Sequence, residues 1–206
     1  TTKATEEGEA ARALRGAGAT VRPLYGENVF ARYLTSVVES DPAVRYQRLS
    51  DIGQAARSSL SRIYRDMGDL DAAEAQARMC IDLAPTSAPA FNDLITCYAE
   101  GDHYDRIIEV AKDALRVAVT GNDISYVFYR LAFAYWQTGR LPEALACYLR
   151  VPEASAMGEA ALRERNDLIS EMGNKVPGND WDPTACLRTA GVPLAPLDDV
   201  MEVVGR

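Results

Sequence analysis

His103 is the single histidine of the chain, so an imidazole metal cluster, a serine–histidine–aspartate triad or a cysteine–histidine pair would each have to use it. It sits beside Gly101 and Asp102, in a stretch with the composition of a turn, where a solvated loop side chain is the plain reading. The four cysteines, Cys80, Cys97, Cys147 and Cys186, lie 17, 50 and 39 residues apart, which matches no CxxC pair, zinc ribbon or dense disulfide framework. They read as free thiols packed as small hydrophobes, which favours a reducing, cytoplasmic setting. Gly16-Ala17-Gly18-Ala19 has two glycines of a phosphate loop but lacks the third glycine, the lysine and a preceding strand. Carboxylates are abundant, yet no pair stands out as an acid and its base. Neither a catalytic residue nor a metal or cofactor is expected, and the chain reads as a binder rather than an enzyme.

One constellation has the chemistry of recognition. In Tyr126-Val127-Phe128-Tyr129-Arg130-Leu131-Ala132-Phe133-Ala134-Tyr135-Trp136, a helix would gather Tyr126, Tyr129, Arg130, Phe133 and Trp136 on one side and Phe128, Leu131, Ala132 and Tyr135 on the other. Aromatic rings with an arginine among them are the side chains that anchor partner peptides, through desolvated area, ring contacts and a directional charge. Arg62 and Asn92 occur at corresponding places in the two preceding segments, where they could add hydrogen bonds to a peptide backbone or carboxylate.

Charge narrows the partners. With 30 acidic against 22 basic residues the net charge is −8, a field that repels nucleic acid and phosphate-rich membrane surfaces. The excess is uneven, since residues 88–124 and 159–206 each carry −4 while 125–158 carry +1. No run of about 18 apolar residues is present to span a bilayer, so neither nucleic acid nor membrane insertion is expected. The chain opens on Thr1 rather than Met, as expected of a processed or cut chain, and localisation stays open.

The elements that must hold these side chains repeat. Leu60 and Tyr64, Leu94 and Tyr98, and Leu131 and Tyr135 are the same four-residue pair, recurring after 34 and then 37 residues. Apolar residues through 54–158 step by three and four, without the alternation of a half-buried strand. Met67-Gly68-Asp69, Glu100-Gly101-Asp102 and Thr138-Gly139-Arg140 each place a glycine after one apolar run, where a left-handed cap costs little. Second amphipathic runs follow at Leu70–Leu83, Tyr104–Val117 and Leu141–Val151, the last opened by Pro142 in a first turn. The unit is helix–turn–helix.

On these residues the chain resembles the tetratricopeptide repeat family, whose unit of about 34 residues reads W-x2-L-G-x2-Y followed by Ala, Phe and Pro. Residues 54–87 match through Leu60, Tyr64, Ala73 and Pro85, with Arg57 in place of the tryptophan and Ser61 in place of the glycine. Residues 88–121 match through Phe91, Leu94, Tyr98 and Ala111, with Ile107 where a small alanine is usual. Residues 125–158 match best, through Phe128, Leu131, Ala132, Tyr135, Gly139, Ala144 and Tyr148. The resemblance implies an all-α solenoid of stacked helix pairs, a right-handed superhelix with capping helices. It also implies that the first helices of successive units line a concave groove, which would put the aromatic stripe there. Some relatives grip a carboxylate with a lysine- and asparagine-rich clamp. Ser58, Arg62, Asp93 and Tyr126 depart from that clamp and only Arg130 agrees, so chaperone-tail recognition is not expected.

The flanks complete the layout. Residues 1–26 read as a flexible or poorly ordered segment. Residues 27–53 read as further helices, a degenerate repeat being one option: Glu27–Glu39, and a helix opened by Asp41-Pro42 that runs through Arg45 and Leu49. Residues 159–175 form a C-terminal cap in which Ala161, Leu162, Leu168, Ile169 and Met172 cover the third repeat while Arg163, Glu164, Arg165, Asp167 and Glu171 face water. Residues 176–206 read as a tail of short helices, one starting at Asp182-Pro183 and one carrying Leu197, Val200, Met201 and Val204. The expected function is a scaffold that docks a protein or peptide of unknown identity. The alternative is the regulatory or sensory portion of a longer protein. An RNA-binding array suits the acidic charge poorly. For the stripe itself three occupants compete: a foreign peptide, the chain's own cap or docked tail, and a second copy.

Overall fold

The computed structural model describes residues 21–24, 45–48 and 52–194. The expected helix at Glu27–Glu39, most of the N-terminal 26 residues and the apolar run from Leu197 to Val204 lie outside these. Contacts divide the chain into two units, Thr1–Cys97 and Tyr98–Arg206, each taken by itself below.

In the first unit, β1 (Val21–Leu24) and β2 (Arg45–Arg48) form a parallel two-stranded pair, with Val21 opposite Arg45 and Leu24 opposite Arg48. This corrects the helix expected through Arg45. The backbone groups of Arg45–Arg48 find their partners in a segment more than twenty residues upstream, a non-local pairing that helix-start signals at Asp41-Pro42 do not report. Two helices follow, α1 (Ile52–Asp66) and α2 (Leu70–Leu83), and α3 (Ala88–Glu100) contains the division between the units.

The turn between α1 and α2 is made as its composition predicts. Gly68 has φ +77°, the Asp69 amide donates to the Tyr64 carbonyl at 2.9 Å, and the Asp69 side chain caps α2 by accepting from the Ala72 amide at 3.1 Å. Ala73, Ala77 and Cys80 are fully buried on α2, small side chains that let α1 come close. Ser61, at the position where the repeat pattern has glycine, is buried too, and its hydroxyl donates to the Ala73 carbonyl at 3.0 Å. Arg57, at the tryptophan position, is also buried, with Nη1 2.8 Å from Gln76 Oε1 and 2.7 Å from the Met79 sulfur. Leu60 and Tyr64 are only half-buried.

The second unit holds α4 (Tyr104–Val117), α5 (Gly121–Gln137), α6 (Leu141–Tyr148), α7 (Gly158–Met172), a 3-10 turn (Gly173–Lys175) and α8 (Pro183–Thr189). Helix α4 packs on α5, α5 on α6, and α6 on both α7 and α8. Ile107, Leu115, Phe128, Leu131, Tyr135, Tyr148 and Leu168 are large, fully buried side chains of these helices. The turn before α4 differs in detail from expectation: its left-handed residue is Asp102, φ +55°, rather than Gly101. Aspartate tolerates that region through local hydrogen bonding, and the Asp102 carboxylate accepts from the Tyr104 hydroxyl at 2.6 Å. Helix α6 stops at Tyr148 rather than Val151 and tightens into turns, the Arg150 and Val151 amides donating to the Cys147 and Tyr148 carbonyls.

Helix α7 caps α6 through buried Ala161, Leu168 and Met172 with half-buried Leu162. Ile169 departs from the expected cap face and is 37% exposed. The helix begins at Gly158, where a Cβ would stand 2.1 Å from the Glu153 carbonyl oxygen. Any side chain there would force open the turn at Pro152 and Glu153 that leads into the helix. The short helix α8 starts at Asp182-Pro183 as predicted, with the Asp182 side chain accepting from the Thr184 amide at 2.8 Å. The described residues thus form helix–turn–helix units, with one strand pair ahead of them, and no described helix is long and apolar enough to cross a membrane.

Candidate functional site

Helix α5 carries the expected stripe, and its N-terminus fixes where the stripe points. Thr120 caps it by accepting from the Asp123 amide at 3.1 Å while its own hydroxyl donates to the Asp123 carboxylate at 2.5 Å, so both bonds tie the first turn to its cap. Val127, Phe128, Leu131, Ala132, Ala134 and Tyr135 are then buried against α4 and α6. Tyr126, Tyr129, Arg130, Phe133 and Trp136 all lie on the remaining side and all are half-buried.

Each member has identifiable partners. The Arg130 guanidinium stacks 5.3 Å from the Tyr126 ring and 5.6 Å from the Tyr129 ring, and its Nε donates to the Tyr126 hydroxyl at 3.2 Å. Phe133 meets Tyr104 edge-on at 5.9 Å and Trp136 at 6.2 Å. The Tyr129 hydroxyl donates to Glu164 Oε1 at 2.7 Å, the Tyr148 hydroxyl to Glu164 Oε2 at 2.7 Å, and Trp136 Nε1 to Glu171 Oε2 at 2.8 Å. Burial, with the Glu164 carboxylate next in size, pushes the Tyr129 phenol up to about 12 and raises the Tyr148 phenol further. Both phenols are therefore neutral donors across the ordinary pH range.

Glu164 and Glu171, expected to face water, both take part in the site. Glu164 is half-buried and holds two phenols at once, which corrects that assignment. A signal was available: Tyr129 to Glu164 and Trp136 to Glu171 are both 35 residues apart, about one repeat length, so each pair occupies equivalent places on successive first helices. Two clefts lie at the C-terminal end of the stripe. One, of about 450 Å³, is lined by Trp136, Gln137, Gly139, Leu141 and Glu171. The other, of about 310 Å³, is lined by Asp102, His103, Tyr104, Asp105, Arg106 and Thr138. His103 stands exposed at that second cleft, as a loop residue should.

The described part of the tail contacts α4, α6 and the turn after α6. Lys112 Nζ donates to the Ala190 carbonyl at 2.6 Å, Arg150 Nη2 to the Leu194 carbonyl at 2.8 Å, and α8 lies on α6. A cleft of about 590 Å³ remains between them, with Arg140, Glu143, Trp181 and Cys186 in its walls. Residues 195–206 lie outside the described residues.

The remaining expected site residues belong to the first unit. Arg62 is exposed on α1 and Asn92 is half-buried on α3, where its carbonyl accepts from the Thr96 hydroxyl at 2.7 Å. Among the described residues no three His, Cys, Asp or Glu side chains gather to hold a metal ion. Cys80, Cys97 and Cys147 are buried free thiols and Cys186 a half-buried one.

Helix pairs packed through small residues, with a left-handed glycine in two of the turns and aromatic residues filling the gaps, define a helical-repeat protein. Comparison with family models agrees at two places: residues 54–84 and 125–154 each match a model of the tetratricopeptide repeat. The chain carries tetratricopeptide repeats at these two segments. Such repeats in general mediate protein–protein interaction and are generally non-enzymatic. A search of curated proteins returns no match to the chain.

Proposed function

We propose that this chain is a protein-interaction module that docks a segment of a partner protein against the open side of α5, and that it works by binding rather than by catalysis. One observation carries the reading: an aromatic and arginine surface stays half-exposed on a helix whose opposite side is wholly buried, with two clefts at its C-terminal end. Covering such a surface removes apolar area from water at about 25 cal/mol per Å². The stacked Arg130, already held between two rings, offers a directional donor with little entropy left to lose. Arg62 and Asn92 are proposed to offer hydrogen bonds to a ligand of the same class from the first unit.

The bonds from Tyr129 and Trp136 to α7 favour a second reading, in which the stripe is packing for the terminal cap. Phe133 separates the two readings, because neither carboxylate of α7 is bonded to it. Peptides selected from a displayed library on the intact chain would be measured by fluorescence anisotropy against the wild type and Phe133→Ala. The docking reading expects at least a tenfold loss of affinity with helical circular dichroism unchanged. Undiminished affinity would assign the stripe to packing. For the tail, we propose that α8 braces α6 and leaves the stripe open, a reading supported by the Lys112 and Arg150 bonds.

A further inference from the structure

A second feature, in the first unit, has the chemistry of a single side-chain socket. Gln54, Ala55, Ser58, Cys80, Pro89, Ala90 and Asp93 enclose a pocket of about 170 Å³. Gln54, Cys80 and Ala90 are buried, Ala55 and Pro89 are exposed, and Ser58 and Asp93 are half-buried. Most of the wall is methyl and methylene surface, and the ionised group in it is the Asp93 carboxylate.

That carboxylate is short of compensation. Its Oδ2 accepts from the Ser58 hydroxyl at 2.5 Å, and among the described residues no cation stands within ion-pair distance of it. Burial raises its proton affinity above the ordinary carboxylate value, and this outweighs the lowering by Ser58 and, from further off, by Arg65 and Arg62. A partly desolvated anion at the end of an apolar sleeve is complementary to a cation on an aliphatic stem. Two side chains have that form. An arginine fork makes its strongest contact with both oxygens of a carboxylate, and Ser58 already occupies one of them. A lysine ammonium is a compact point charge that needs only one.

We propose that this pocket receives a lysine side chain of a partner protein, its methylenes against Ala55, Pro89 and Ala90 and its ammonium on Asp93. The inference stands apart from the aromatic stripe: loss of binding in the Phe133 variant leaves it untouched, and its own failure leaves that surface intact.

The test is a titration of the intact chain, followed by amide chemical shifts, with Nα-acetyl-lysine-N-methylamide and three matched probes. The norleucine analogue lacks the ammonium, the arginine analogue carries the fork, and n-butylammonium is the free amine. Saturable shifts at Ala55, Ser58, Ala90 and Asp93 are expected with the lysine probe. The norleucine and arginine probes should bind at least fivefold more weakly, and Asp93→Asn should lower lysine binding at least tenfold with the rest of the spectrum retained. Should Asp93→Asn not fold, Ser58→Ala serves in its place: freeing the second oxygen is expected to narrow the gap between arginine and lysine at least twofold. Equal binding of norleucine and lysine, absence of any saturable shift, or butylammonium binding more tightly than the lysine probe would each overturn the proposal.

Discussion

The first and third repeats use one template with different fillings. In the third, α5 and α6 meet through Phe128, Leu131, Tyr135 and Tyr148, all sealed from water. In the first, α1 and α2 meet through Arg57, Ser61 and the small residues of α2, while Leu60 and Tyr64 stay half-buried and Ile52, Ile63 and Met67 are exposed. Helix spacing and the left-handed turn survive both fillings. What the template needs at its centre is therefore close approach, supplied by Ala73 and Ala77 or by Ala132 and Ala144. Apolar volume is the adjustable part, so the second unit should carry the greater share of stability.

The largest expected effect tests that contrast directly. Leu131→Ala removes a fully buried side chain and is expected to cost about 3 kcal/mol, whereas the equivalent Leu60→Ala should cost about 1 kcal/mol because the wild-type side chain already meets water. Urea denaturation of both variants measures it, and equal losses would break the comparison.

A medium effect sharpens it through pH. The phenol of Tyr129 rises from 10.0 to about 12 in the folded chain, by burial first and then by its bond to Glu164. The raised value means that the unfolded chain gives up the proton first. The stabilisation is complete below pH 10, shrinks as the unfolded phenol ionises, and is lost as pH rises through the folded value. Thermal midpoints of the intact chain should fall steeply from pH 10 upward, and Tyr129→Phe should flatten the slope. An unchanged slope would mean that the folded chain does not hold the Tyr129 phenol neutral.

The smallest effect lies in the first repeat. Arg57 is a buried guanidinium whose partners are an amide oxygen and a thioether sulfur rather than a carboxylate. Arg57→Met keeps the length, removes the desolvated charge, and is expected to be neutral or to stabilise by about 1 kcal/mol. A loss of more than that, by the same denaturation, would show that the Gln76 bond carries the helix pair.

Much of this architecture is written in local patterns. The Leu–Tyr pairs, the glycine turns at 68 and 139 and the helix starts at Leu70, Tyr104, Leu141 and Pro183 all follow from periodicity and capping chemistry. Non-local choices are not written there. The pairing of Arg45–Arg48 with Val21–Leu24 depends on a partner far upstream, and a helix-start signal nearby points the wrong way. At 101–102 the composition suggests glycine as the left-handed residue, but the bond from Tyr104 moves that role to Asp102. The residues proposed for recognition could be named from their types, because aromatic side chains with an arginine are uncommon on the outward side of a helix. That two carboxylates of the following helix would take the hydrogens of Tyr129 and Trp136 needed the repeat offset applied to polar residues, not only to apolar ones.

Those two bonds have a mechanical corollary. Tyr129 and Trp136 are spaced seven residues apart on one helix, and so are Glu164 and Glu171 on the next, which makes the contact a two-toothed ratchet. Sliding α7 by one turn, about 5.4 Å, would unseat both teeth together. A single tooth could tolerate some play along the axis; two in step permit one setting.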